Sequence, residues 1–198
     1  MERLVLCTTN AGKIVELRAL LAGVTEVVSL SDVGLAGGWE ETADTFAGNA
    51  LLKARSAYAA CGVPCLGDDS GLEVDALGGA PGVRSARFAG EPADDRANVA
   101  LLLHRMRGVK ERSARFVTVL ALVGAGSERI YTGLVAGAIT HSPRGTMGFG
   151  YDPIFQPFGE VHTFAELTME VKNRMGHRAA AVKALLADMV APTKEVSH

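Results

Sequence analysis

Cysteine is scarce and unpaired in this 198-residue chain: Cys7, Cys61 and Cys65 lie in apolar surroundings, with neither a C-x-x-C pair nor the Cys/His spacing of a zinc site. That favours a reducing compartment, and a cytoplasmic setting is expected. Long apolar runs are also missing. Nowhere do 18 apolar residues follow one another, and Leu4-Val5-Leu6-Cys7 near the start is too short for a signal peptide, so neither a membrane span nor a leader is expected. Nor is there an excess of one charge: 21% of residues are charged and the net charge is -2, which gives no global electrostatic case for a polyanion such as DNA. Any anion must be gripped locally. No internal repeat is evident. What the chain does have is 48% hydrophobic residues, enough to bury a core at the size of one ordinary domain. A single domain over residues 1–191 and a flexible tail over 192–198 are expected.

The order of patterns reads α/β. Leu4 to Cys7 is a short strand ending at Thr8-Thr9-Asn10, after which Ile14, Leu17, Leu20 and Leu21 recur at helical spacing until Gly23. Val24 to Leu30 suggests a second strand. Phe46, Ala50, Leu51, Ala54 and Tyr58 mark a second helix, closed by Gly62 and Pro64, and Val63 to Leu66 is again strand-like. A third helix is expected through Val99, Leu102, Leu103 and Met106. Ala114 to Val123 and Arg129 to Ile139 are β-rich runs that should pair antiparallel across a turn at Gly124 to Glu128. A Gly/Pro-rich loop at Gly145 to Gly159 follows, then a last helix with Val182, Leu185, Leu186 and Met189 on one face.

Several clusters could carry chemistry. Thr8-Thr9-Asn10-Ala11-Gly12-Lys13 sets two hydroxyls, an amide, a flexible glycine and an ammonium between a strand and a helix start, where free N–H groups and the positive end of the helix dipole favour phosphate. It is not a Walker A loop, since the first glycine is missing and Ile14 follows Lys13. The same stretch also reads as a plain helix cap with a solvated lysine. Asp68-Asp69-Ser70-Gly71 puts carboxylates at a strand end, where α/β proteins place ligands, or else forms a turn. Adjacent side chains on an extended segment face opposite ways, so one of the two aspartates should enter a given cleft. With Glu40-Glu41 before the second helix, these hard oxygens suit Mg²⁺, which takes one or two carboxylates plus substrate phosphates. Asn49 and Lys53, four apart, share a helix face that reads either as a second cation for phosphate or as ordinary exposed surface. In Gly148-Phe149-Gly150-Tyr151-Asp152-Pro153, aromatics alternate with glycines in a loop, offering a face to stack a base or a plug for the core. Lys172 and His177-Arg178 precede the last helix, and Arg178 can offer a planar fork to a base carbonyl.

Taken together, these segments resemble the inosine triphosphate pyrophosphatase family. The resemblance runs from residue 4 to about residue 190 and adds Phe46 to Lys53, Gly78-Gly79-Ala80-Pro81-Gly82, Ser85-Ala86-Arg87-Phe88 and Ala165-Glu166-Leu167 to the clusters above. It departs at Gly176, where the family usually has serine, and more mildly at Thr9, where many relatives have glycine. The resemblance implies a long, twisted mixed β-sheet with helices forming two lobes around a nucleotide-binding cleft, assembled as a homodimer. It implies Mg²⁺-dependent hydrolysis of ITP, dITP and XTP between the α- and β-phosphates, giving a monophosphate and pyrophosphate. Asp69 would be the general base and a metal ligand, with Glu40 or Glu41 assisting. Thr8, Thr9, Asn10, Ala11, Gly12, Lys13 and Lys53 would hold phosphates. Ser70, Phe149, Gly150, Tyr151, Asp152, Lys172, His177 and Arg178 would position sugar and base. A nucleotide sensor without chemistry, or a pyrophosphatase for a modified pyrimidine, are the competing functions. Carboxylates beside a triphosphate argue against the sensor, because pure binding gains little from them except through a metal.

Overall fold

A computed structural model describes residues 2–39 and 41–190; Glu40 and the expected tail at 192–198 lie outside the described residues. Its frame is a six-stranded mixed sheet in the order β2-β1-β3-β4-β5-β6. Strands β1 (Arg3–Cys7), β2 (Glu26–Ser29) and β3 (Cys65–Val74) run parallel, while β4 (Ser113–Gly124), β5 (Ser127–Ile139) and β6 (Phe155–Pro157) continue antiparallel from β3. Helices α1 (Ala11–Leu20), α2 (Phe46–Cys61), α3 (Asp95–Arg105), α4 (Met169–Met175) and α5 (His177–Val190) flank it. No helix among the described residues is long and apolar enough to cross a membrane.

Strand alternation sorts the core. Val5, Cys7 and Cys65 face α2, packing on Phe46, Ala50, Ala54 and Ala57, whereas Leu4, Leu6 and Leu66 face α1 and α5, packing on Leu17, Leu21, Ala181 and Leu185. A third cluster forms at the far end of the long strands, where Leu72, Phe116 and Ile139 meet α3 and the rings of Tyr151, Phe155 and Phe164. The two expected β-rich runs are β4 and β5, joined by a tighter turn than expected, Ala125-Gly126, with Gly126 at positive φ (73°).

Three expectations are corrected. Asp68-Asp69-Ser70-Gly71 is neither a turn nor a strand end: it lies inside β3, paired with Leu120 to Val117 of β4. The segment 145–159 holds a 3-10 turn at Asp152–Ile154 and the short strand β6. The last helix begins at His177 itself, Lys172 sits on the separate helix α4, and Met189 is exposed.

Candidate active site

Strand β3 carries its two aspartates to opposite faces. Asp68, fully buried, turns toward α1 and α5, where its carboxylate accepts from Lys13 Nζ (2.5 Å), Arg178 Nε (2.8 Å) and Ser70 Oγ (2.6 Å). Asp69 turns toward α2 and accepts from Lys53 Nζ (3.0 Å) and Asn49 Nδ2 (3.3 Å). These partners allow a turn-forming sequence to stay extended: each side chain that would otherwise fold back on the backbone is held by a neighbouring helix. Glycine is required just before them: a Cβ on Gly67 would run into the carbonyl of Ala50, so α2 packs on β3 backbone at that point.

The neighbouring carboxyls are pushed apart in acidity. Burial alone would raise Asp68, yet Arg178 and Lys13 hold it well below the usual carboxylate range. Burial pushes Asp69 up, more than Lys53 and Lys13 pull it down. Asp68 is thus a fixed anion, whereas Asp69 is suited to take up a proton. Glu41, facing Asp69 across Lys53, stays low because Lys53, Lys13 and Arg87 outweigh its burial.

The segment Thr8–Lys13 closes one end of a cleft of about 220 Å³. Asn10 caps α1, accepting the Lys13 N–H at 3.0 Å, and Thr8 Oγ1 accepts the Asn10 N–H at 3.2 Å. The cap reading of these residues is therefore correct for Asn10. Thr8, Thr9, Asn10 and Lys13 line the cleft; Ala11 and Gly12 belong to the first turn of α1. Gly12 is helical, not a flexible hinge, and is needed because a Cβ would strike the ring of Phe149. Burial pulls the Lys13 ammonium below its ordinary range, with Asp68 only partly offsetting it.

Asn49 and Lys53 are buried, not an exposed face. Lys53 Nζ donates to Asp69 Oδ1 and the Asp68 backbone carbonyl (2.9 Å) and forms an ion pair with Glu41 Oε1 (2.6 Å), and the Asn49 side-chain Oδ1 accepts from Ala43 N at 2.9 Å.

At the other end Phe149 lies beneath two cations, 4.8 Å from Lys172 Nζ and 6.0 Å from the Arg178 guanidinium. Its loop is pinned by carboxylates: Asp152 accepts the Phe149 N–H (3.0 Å) and Lys172 Nζ (2.5 Å), and Asp95 accepts the Gly150 N–H at 2.7 Å. Tyr151 borders the cleft but is a core residue, 4% exposed, its hydroxyl donating to the Ser85 carbonyl at 2.9 Å. His177 lies flat on Phe116, ring centroids 4.7 Å apart, with Nδ1 buried and unpartnered. Arg178 spreads its fork over Asp68, Ser70 Oγ (3.0 Å) and Glu16. Burial would lower its proton affinity, and Asp68 and Glu16 more than reverse that. Gly176 joins α4 to α5, and a Cβ there would sit 2.7 Å from the Lys172 carbonyl, so this junction is shaped for glycine.

Glu16 is a residue the sequence did not flag. Buried on α1, it also binds Lys172 Nζ at 2.8 Å, joining α4 and α5 to the phosphate-side helix. Nothing in the α1 pattern marks it, because a lone glutamate in a helix reads as surface. Asp95, at the start of α3, went unflagged for the same reason, whereas Phe116 read as part of a β-rich run and Ser85 was given no role within its motif.

Against known proteins, residues 4–188 match the model of the Ham1 family. The chain is 47% identical over 186 residues to a dITP/XTP pyrophosphatase of Porphyromonas gingivalis, covering 93% of this chain and 96% of that one. It is 49% identical over 198 residues to a dITP/XTP pyrophosphatase of Streptomyces avermitilis, with 94% and 96% covered. The solved structure of a HAM1 protein from Coxiella burnetii superposes with a TM-score of 0.87 at 37% identity, covering 96% and 98%. With the mixed sheet, the opposed aspartates and this match along nearly its whole length, the chain belongs to the Ham1 family.

Proposed function

We propose that the chain hydrolyses non-standard purine nucleoside triphosphates (ITP, dITP and XTP) to the monophosphate and pyrophosphate. The observation that carries this reading is the position of Asp69: a buried carboxyl of raised proton affinity between a helix N-terminus with two lysines and an aromatic loop with an arginine. The relatives named dITP/XTP pyrophosphatase support the same substrate class.

In this reading the N-terminus of α1, with Thr8, Thr9, Asn10, Lys13 and the Ala11-Gly12 backbone, holds phosphate oxygens, joined by Lys53. Asp69 takes the proton of the attacking water. Ser70, Lys172 and the Phe149-Gly150-Tyr151-Asp152 loop seat sugar and base, with Phe149 as the stacking face. His177 and Arg178 read the base edge. Arg178 keeps N–H groups beyond those given to Asp68, Ser70 and Glu16, and a donor aimed at a 6-keto oxygen would face the 6-amino group of ATP donor to donor. Sites built on such a bond discriminate by roughly 10⁴ to 10⁵.

The cation Mg²⁺ fits the same place. Two carboxylates and a carbonyl oxygen already surround one positive charge, the Lys53 ammonium, and Glu40 precedes Glu41 in the chain. Mg²⁺ takes one or two carboxylates and completes its shell with water and substrate phosphate. Asp69 and Glu41, with Glu40, would hold the ion, which supplies charge neutralisation to the phosphates. A cytoplasmic setting agrees with three free cysteines, Cys61 and Cys65 being 3.8 Å apart at sulfur without a bond. A homodimer is supported by exposed Ile130 and Leu134 on β5, which pairs with β6 only at Gly137 to Ile139.

The test is a panel of triphosphates with Mg²⁺, read for pyrophosphate against orthophosphate. ITP and XTP should release pyrophosphate while ATP is spared. Asp69→Asn should keep inosine nucleotide binding while turnover falls by a factor of about 10² or more; near-normal turnover would overturn Asp69 as the base.

A further inference from the structure

Lys53 is committed. Its ammonium donates to the Asp68 carbonyl (2.9 Å) and Asp69 Oδ1 (3.0 Å) and forms an ion pair with Glu41 Oε1 at 2.6 Å. The side chain is only 11% exposed, so little water is available to replace any of these bonds. A lysine so committed cannot also grip a phosphate. Lys13 differs: among the described residues its ammonium pairs with one carboxylate, Asp68, and takes none of the oxygens around Lys53.

Those oxygens are hard, converge from β3 and the segment before α2, and already enclose one positive charge. Two cations cannot share them, because a divalent ion at oxygen distance would lie within a few ångströms of the ammonium, where like charges repel strongly even with surface-like screening. We propose that Lys53 is the resident counter-ion of the metal site: divalent metal and the Lys53 ammonium exchange on the carboxylates of Asp69 and Glu41, and the displaced ammonium becomes the phosphate ligand. The inference rests on the Mg²⁺ reading above and deepens it. It makes Lys53 a positioning residue in the ligand-free state and a substrate-binding one afterwards. Metal and triphosphate then bind cooperatively: metal frees the lysine, and phosphate gives the freed charge a new partner. Without nucleotide, the metal competes with an internal cation and binds weakly.

The experiment is Mn²⁺ titration of the nucleotide-free protein, followed by calorimetry and electron paramagnetic resonance, on the wild type, Lys53→Gln and Lys13→Gln. Exchange predicts that Lys53→Gln tightens Mn²⁺ binding about tenfold or more, while Lys13→Gln, which removes a nearby charge without vacating the oxygens, changes it by less than about threefold. A non-hydrolysable inosine triphosphate analogue should tighten Mn²⁺ binding in the wild type and do so much less in Lys53→Gln. Equal affinity in wild type and Lys53→Gln, or equal tightening by both substitutions, would overturn the exchange and leave the Mg²⁺ reading standing. No Mn²⁺ binding in any of the proteins, with or without the analogue, would overturn both. Should Lys53→Gln fail to fold, the wild type itself decides: the Lys53 Nζ NMR signal, assigned by its loss in Lys53→Arg, must move on Mg²⁺ titration, and a signal that stays put overturns the proposal.

Discussion

His177 is held in the fold without its charge. Burial, with Arg178 and Lys172 beside it and Lys13 further off, pushes its proton affinity well below the ordinary histidine value, and Asp68 recovers only part of that. Since the unfolded chain takes up this proton below about pH 6.5 and the native state does not, stability must fall as pH drops through that value. The slope from this one group is at most about 1.4 kcal/mol per pH unit. His177→Gln should flatten the pH dependence of denaturant unfolding between neutral and mildly acidic solution; an unchanged slope would assign it elsewhere. Glu16 sets a second expectation. Glu16→Gln leaves Lys172 and Arg178 short of a buried anion, a loss of about 3 to 5 kcal/mol by analogy with other broken buried pairs, and it should raise KM as the base-side cations shift. Glu16 was invisible in the sequence because its importance lies in residues more than 150 positions away. Asn49 and Lys53 were half legible: their spacing put them on one helix face, but only the packing of α2 on β3 shows that face to be interior.

At the scale of elements, two helices rest directly on strand backbone. A Cβ on Gly133 of β5 would collide with the His177 carbonyl and Ala181 N–H of α5, as one on Gly67 would collide with α2. Gly133→Ala should lift α5, destabilise the protein by about 1 to 3 kcal/mol and lower kcat/KM, because His177 and Arg178 ride on that first turn. Gly124→Ala is the control: its Cβ would sit 3.8 Å from Pro64, an ordinary contact, so thermal melts should shift by less than about 0.5 kcal/mol. The long hairpin of β4 and β5 was readable from its β-rich runs, which are strands on local preference alone. Strand β3 was not, since Asp-Asp-Ser-Gly prefers turns, and only ion pairs to three helices and ladder bonds to β4 hold it extended. β6, three residues long, is a strand only because β5 lies beside it.

For the whole molecule, the cleft draws its walls from both ends of the sheet, so a nucleotide filling it binds the native chain and not the unfolded one. A non-hydrolysable inosine triphosphate analogue with Mg²⁺, at about 100 times its Kd, should add about 2.7 kcal/mol to unfolding measured in denaturant, and ATP at the same concentration much less. The α/β class was legible in the alternation of strand and helix periodicities, and the mixed sheet and cleft were implied by the family resemblance; the ionic wiring across the cleft was not anticipated, because each pair joins segments far apart in sequence. That wiring bears on encounter kinetics. Among the described residues that line the cleft, Lys13, Lys53, Lys172 and Arg178 are matched by Glu41, Asp69, Asp95 and Asp152. A cleft so balanced projects little field into the solvent, and an arriving triphosphate feels no pull until it touches the walls. Stopped-flow association rates should therefore change little with added salt, and discrimination among nucleotides should reside in how long each one stays.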